Sequence, residues 1–128
     1  MILSVCEIML YVKNPSESAE FWQNKVGFSV IDEFSAIGDT SYVIAPTVAS
    51  DVNFVLHNKS FVARFSPEVN TDAPSLIFYT ENINEVYNKL TNNDVSCTEI
   101  KDVGTAFLFN FSDPDGNWFV MKQVKENL

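Results

Sequence analysis

Aliphatic and polar residues alternate over residues 5–12, with Ile8, Leu10 and Val12 on one parity and Glu7, Met9 and Tyr11 on the other. Period-two alternation predicts a strand that buries its even positions against the element that follows. That element carries a helix signature: Asn14 as N-cap, Pro15 at the first helical position and Glu17 three residues after the cap. Ala19, Trp22 and Val26 then run down one face, and Gly27 closes the helix, because the left-handed backbone that ends a helix suits a residue without Cβ. Strands are predicted over residues 28–34, 41–44 and 52–57. The first half therefore reads β-α-β-β-β.

Residues 58–73 are polar and broken by Pro67, with Pro74 following. The stretch is too long for a hairpin and suits a crossover or a ligand-covering loop, with Phe61, Arg64 and Phe65 inside it. The plan then repeats: a strand over 75–80, an Asn82 cap with Glu85 three later, a helical stripe of Ile83, Val86, Tyr87 and Leu90, and strands over 95–100, 106–111 and 118–124. Asn14 and Glu17 match Asn82 and Glu85 at one constant offset, which makes an internal duplication the economical reading. The last two strands flank Asp113-Pro114-Asp115-Gly116-Asn117, a turn in which proline presets φ and glycine supplies the positive φ. The expected class is α+β, one domain over 1–128, with module one at 1–57, a crossover at 58–74 and module two at 75–128. Each module alone is a small sheet with one helix, so the two are expected to pack together around a shared cleft.

Charge narrows the partners. Eight Lys and Arg stand against seventeen Asp and Glu, a formal net charge of −9 that repels a phosphate backbone and excludes nucleic acid as the expected partner. Acidity of this size serves solubility and also attracts cationic ligands. No basic and apolar leader and no membrane-length apolar run is present, which predicts a cytoplasmic protein without a membrane partner. Cys6 and Cys97 lie in predicted strands without metal-ligand or redox spacing and read as reduced, buried small hydrophobes. With one histidine and four glycines, neither a Ser-His-Asp arrangement nor a phosphate loop can be argued, so no catalytic residue is assigned.

Leu10-Tyr11-Val12-Lys13-Asn14-Pro15-Ser16-Glu17-Ser18-Ala19-Glu20-Phe21-Trp22, followed by Val26-Gly27-Phe28 and, before the last strand, by Asp113-Pro114-Asp115-Gly116-Asn117, resembles the vicinal oxygen chelate superfamily. That group includes glyoxalases, ring-cleaving dioxygenases, fosfomycin-resistance enzymes and bleomycin-resistance proteins. The resemblance implies the glyoxalase/bleomycin-resistance fold: two βαβββ modules forming a curved open sheet around a cleft, commonly in a homodimer. It also implies four metal-ligand positions, one in the first and one in the last strand of each module, which fall here on Glu7, Val55, Ser75 and Val120. Valine offers no donor, so no metal and no cofactor is expected. His57, two residues beyond Val55, is the one side chain able to rescue a Glu7-centred site, and a lone histidine at a strand end is more often a partly exposed polar residue.

Strand parity then gives the expected ligand-facing set: Glu7, Met9 and Tyr11; Asn53, Val55 and His57; Ser75, Ile77 and Tyr79; Trp118, Val120 and Lys122. Trp118 presents a face for stacking a planar or cationic compound, or else packs at a dimer interface; Glu7 pairs with a positive group, or else is solvated. The expected function, on the resemblance, is capture of an aromatic or cationic small molecule in a dimer cleft, as in metal-free bleomycin-resistance proteins that confer antibiotic resistance. The alternative is a glyoxalase- or dioxygenase-like enzyme with an altered metal site involving Glu7 and His57.

Overall fold

In the computed structural model, which describes residues 1–36 and 39–126, both Asn–Glu caps start helices. The Asn14 side chain accepts a hydrogen bond from the Glu17 backbone N–H at 3.1 Å, and Asn82 accepts from that of Glu85 at the same distance. Helix α1 (Pro15–Glu20) widens directly into a π-helical segment, Phe21–Val26. Gly27, at φ 96°, ends it, and the N–H groups of Gly27 and Phe28 both donate to the Trp22 carbonyl. The extra width places the Trp22 ring at the core, 1% exposed, with Phe21 edge-on at 5.4 Å and Phe28 tilted at 4.9 Å.

The chain forms two compact units, Met1–Pro74 and Ser75–Leu128. In the first, β1 (Glu7–Val12), β2 (Ser29–Ala36), β3 (Asp39–Ala45) and β4 (Asn53–Asn58) form a sheet ordered β1-β4-β3-β2, in which β1 and β4 run parallel. In the second, β5 (Ile77–Tyr79), β6 (Lys101–Asp102), β7 (Ala106–Ser112) and β8 (Trp118–Val124) repeat that order as β5-β8-β7-β6, with β5 and β8 parallel. Met9 stands opposite Val55 as Ile77 stands opposite Val120, so the duplication extends to strand register.

One face of each sheet is covered by a helix. α1 packs on β3 and β4, and the second helix of the same design (Ile83–Asn92, α3 below) packs on β7 and β8. Leu10, Val12, Phe54 and Leu56 are buried on that face of the first sheet, and Phe109, Phe111, Phe119 and Met121 on that of the second. The strand parity expected for the helix-covered side is thus observed.

Five features depart from the expectations. The polar stretch after β4 opens with a helix, α2 (Lys59–Phe65), capped by Asn58, whose side chain accepts from the Phe61 N–H at 3.0 Å. Phe61 and Phe65 stack one turn apart at 4.6 Å, and the helix ends before Pro67, which cannot continue it. The strand expected over 95–100 reduces to a single bridge, Cys97 to Phe111, ahead of the short β6. Cys6 is exposed rather than buried: it precedes β1 at the sheet edge, and only its carbonyl joins the ladder, accepting from Asn53 N–H at 3.0 Å. Cys97 is half-buried, and burial raises its thiol pKa. Ser75 lies outside the paired residues of β5.

Candidate functional site

The face of each sheet opposite its helix carries the sequence-derived candidates. On the first sheet the parallel register sets Glu7 beside Asn53, Met9 beside Val55 and Tyr11 beside His57. Glu7 is exposed, Met9 and Tyr11 border solvent, and Asn53 and His57 are half-buried, whereas Val55 is 1% exposed and forms the floor. On the second sheet Ile77 lies beside Val120 and Tyr79 beside Lys122, while Trp118 stands opposite Ser112. Trp118, Ile77 and Tyr79 are exposed, a concentration of large apolar side chains on one small face. The Lys122 ammonium sits over the Tyr79 ring at 5.9 Å. Ser75 is exposed and precedes the strand. A hollow of ≈ 890 Å³ beside Tyr79 is walled by Thr80, Glu81, Gln123, Val124 and Glu126, not by Trp118 or Val120.

His57 is the best-organised group. Its Nδ1 lies 2.9 Å from the Ser41 hydroxyl and its Nε2 lies 3.2 Å from the Met9 sulfur. A thioether accepts and cannot donate, so in the neutral ring Nε2 carries the hydrogen and Nδ1 accepts from the serine hydroxyl. The Tyr11 ring stacks on the imidazole at 5.8 Å and 25°, and Phe34 meets it edge-on at 6.2 Å and 71°. Tyr11, His57, Ser41 and Phe34 therefore form a row across β1, β4, β3 and β2. Burial lowers the His57 pKa below the ordinary imidazole value; the charges of Asp39 and Glu7 oppose that shift without reversing it.

Phe34, Ser41 and Asp39 were absent from the sequence-derived set. Val30 pairs with Ile44 and Asp32 with Val43, so a bulge at Ile31 reverses the parity of β2 beyond it. An alternation counted from Val30 therefore assigns Phe34 to the wrong face. The bulge, not composition, brings that ring to His57.

The donor set does not fit a divalent metal. Of the four positions that the sequence resemblance assigns to ligands, Glu7 offers a carboxylate, Ser75 a hydroxyl, and Val55 and Val120 nothing. His57 has both nitrogens engaged, and among the described residues no group of three His, Cys, Asp or Glu side chains converges to hold an ion.

Comparison with known proteins agrees with this architecture. The sequence model of the glyoxalase/bleomycin resistance protein/dioxygenase superfamily matches residues 5–121. The uncharacterized protein YetH of Bacillus subtilis (strain 168) is 24% identical over 124 residues, covering 96% of this chain and all of that protein. The crystal structure of TnmS3, an antibiotic binding protein from Streptomyces sp. CB03234, superimposes with a TM-score of 0.82 at 21% identity, over 97% of this chain and 98% of that one. A member of the same superfamily from Sphaerobacter thermophilus DSM 20745 does so at 0.75 and 21% identity, over 95% and 98%.

Proposed function

The chain belongs to the glyoxalase/bleomycin resistance protein/dioxygenase superfamily, and on that premise we propose that it is a metal-free binding protein that captures an aromatic or cationic small molecule. One observation carries this reading: on the faces where metal ligands are expected, valines occupy two of the four positions, and the same faces expose Met9 and Phe34 on the first sheet and Ile77, Tyr79 and Trp118 on the second. Such a surface gains by stacking and by removing apolar area from water, neither of which needs a Lewis acid. The antibiotic-binding relative TnmS3 supports capture, and the chain's net charge of −9 favours a cationic ligand. In this reading the open faces wall a cleft in a cytoplasmic homodimer, with Glu7, Met9, Tyr11, Asn53, His57, Ser75, Ile77, Trp118 and Lys122 at the ligand, over a floor of Val55 and Val120.

A second reading, an enzyme of glyoxalase or dioxygenase type with an altered site, draws support from the influence of the Glu7 charge on His57. The two readings differ over metal, and metal retention separates them.

Trp118 tests capture directly. Titration of the intrinsic fluorescence with cationic glycopeptides and planar drugs is expected to give saturable binding. By calorimetry, Trp118→Ala is then expected to weaken the affinity about tenfold, the loss of one stacking surface. Because Trp118 is 53% exposed, the same substitution is expected to leave stability within about 0.5 kcal/mol. Unchanged affinity for every compound bound by wild type overturns the stacking role.

A further inference from the structure

We propose that the Tyr11–His57–Phe34 row on the first sheet is a subsite for a planar organic cation, with Glu7 and Asp39 supplying the countercharge. This deepens the capture reading and rests on it. Three strands deliver the rings: β1 brings Tyr11, β4 His57 and β2, through its bulge, Phe34. Ser41 lies between His57 and Phe34 in the row; its side chain is short and buried, and its hydroxyl holds the imidazole. Phe34 remains 46% exposed although it already touches His57, so it offers the row's largest surface to a further ring. Aromatic faces carry partial negative charge and attract cations, most strongly where water is partly excluded.

The surrounding charge has the complementary sign. Glu7 from β1 and Asp39 from β3 both act on the His57 ring, and Asp32 on β2 shares the open face by pairing with Val43. Glu33 follows on β2 with the opposite parity. Of the basic groups on neighbouring elements, Lys13 follows β1, while Lys59 and Arg64 belong to α2, which packs against β1 and β4. The Arg64 guanidinium lies over Phe65, at 5.2 Å from the ring centre.

His57 sets the selectivity of the row. While neutral it is one more flat, weakly polar surface; once protonated it places a positive charge among the rings and competes with a cationic ligand for Glu7 and Asp39. Burial favours the neutral ring, so the subsite is in its cation-accepting state at neutral pH and loses that state as pH falls below the ordinary imidazole value.

The test uses berberine, a planar quaternary cation whose charge does not titrate, followed by its fluorescence on the full-length protein at pH 7.5 and pH 5. Wild type is expected to bind about tenfold more tightly at the higher pH, the effect of one like charge beside the ligand. His57→Asn, which keeps a hydrogen-bonding partner for Ser41, is expected to bind with little dependence on pH. This control separates the contribution of His57 from that of the rest of the protein. Phe34→Ala is expected to weaken binding about fivefold at both pH values, with circular dichroism confirming that the variant is folded.

Equal affinity of wild type at the two pH values, the same pH dependence in His57→Asn, or unaltered binding by Phe34→Ala overturns the subsite. Berberine binding that Trp118→Ala still weakens leaves capture standing in each of those cases. Failure of berberine to bind at either pH overturns the subsite as well, and capture itself falls only if the glycopeptides and planar drugs also fail to bind.

Discussion

Urea titration of Phe111→Ala is expected to show a loss of about 4 kcal/mol relative to wild type, the range for truncating a buried phenylalanine. Phe111 is fully buried in β7, with ring centres of Phe119 at 5.7 Å, Phe78 at 6.2 Å and Phe109 at 6.4 Å. It also joins the element preceding β6 to the sheet, because its bridge to Cys97 is the point at which residues 95–100 reach the ladder. Alanine therefore opens a cavity among three aromatic side chains that cannot collapse together without moving strands. Against a usual domain stability of about 5–15 kcal/mol, a loss of this size leaves the fold marginal at body temperature. Phe111→Leu, which fills most of the volume, is expected to lose less than half as much. Equal losses for alanine and leucine would show that the cavity is not the cause.

Asp113→Ala is expected to cost about 3 kcal/mol by the same measurement, an effect on a turn that rivals a core truncation. The carboxylate is buried and accepts three hydrogen bonds: from the backbone N–H of Asn117 at 2.8 Å, from the Asn117 side-chain amide at 3.0 Å and from the backbone N–H of Asp115 at 3.1 Å. The Asp113 N–H donates to the Asn117 carbonyl, and Gly116, at φ 79°, donates back to the Asp113 carbonyl. Alanine leaves three donors without their acceptor at the point that sets the β7–β8 register. Asp113→Asn keeps an acceptor and is expected to lose about 1 kcal/mol.

Burial pushes the Asp113 carboxyl pKa up, against the pull of the donors from Asn117 and Asp115. The folded value thus exceeds the unfolded one. The proton-linked contribution is full below the ordinary carboxylate value and is lost as pH rises through the folded value. Asp113→Asn, with nothing to ionise there, is expected to lack that decline.

The hairpin, both Asn caps and the buried parity of the strands were legible because each rests on local chemistry: a turn needing Pro and Gly, orphan helix N–H groups needing an acceptor, and a pleat of period two. The duplication was legible because one offset relates the two caps. The row around His57 was only half legible. Tyr11 and His57 follow from parity, but Phe34 depends on an extra residue in β2, and nothing in the pattern around Ile31 marks a bulge. The strand expected over 95–100 shrinks to one bridge because Val95, Cys97 and Ile100 have strand character but only Cys97 finds a strand partner. Cys6 departs for a related reason: hydrophobic character predicts burial, but at that position the chain has not yet entered the sheet. Short range signals capture turns and caps; pairing and edges are set by the rest of the chain.

Capture without metal is the central claim, and elemental analysis tests it most directly. The protein is equilibrated with Zn²⁺, Ni²⁺, Mn²⁺ and Fe²⁺ in turn, desalted and assayed for bound metal. The account predicts far less than one equivalent per chain in every case, because Val55 and Val120 contribute no donor and His57 is committed to Ser41 and Met9. One equivalent retained by wild type and lost in both Glu7→Ala and His57→Ala would contradict it, and would return the protein to the enzymes of its superfamily.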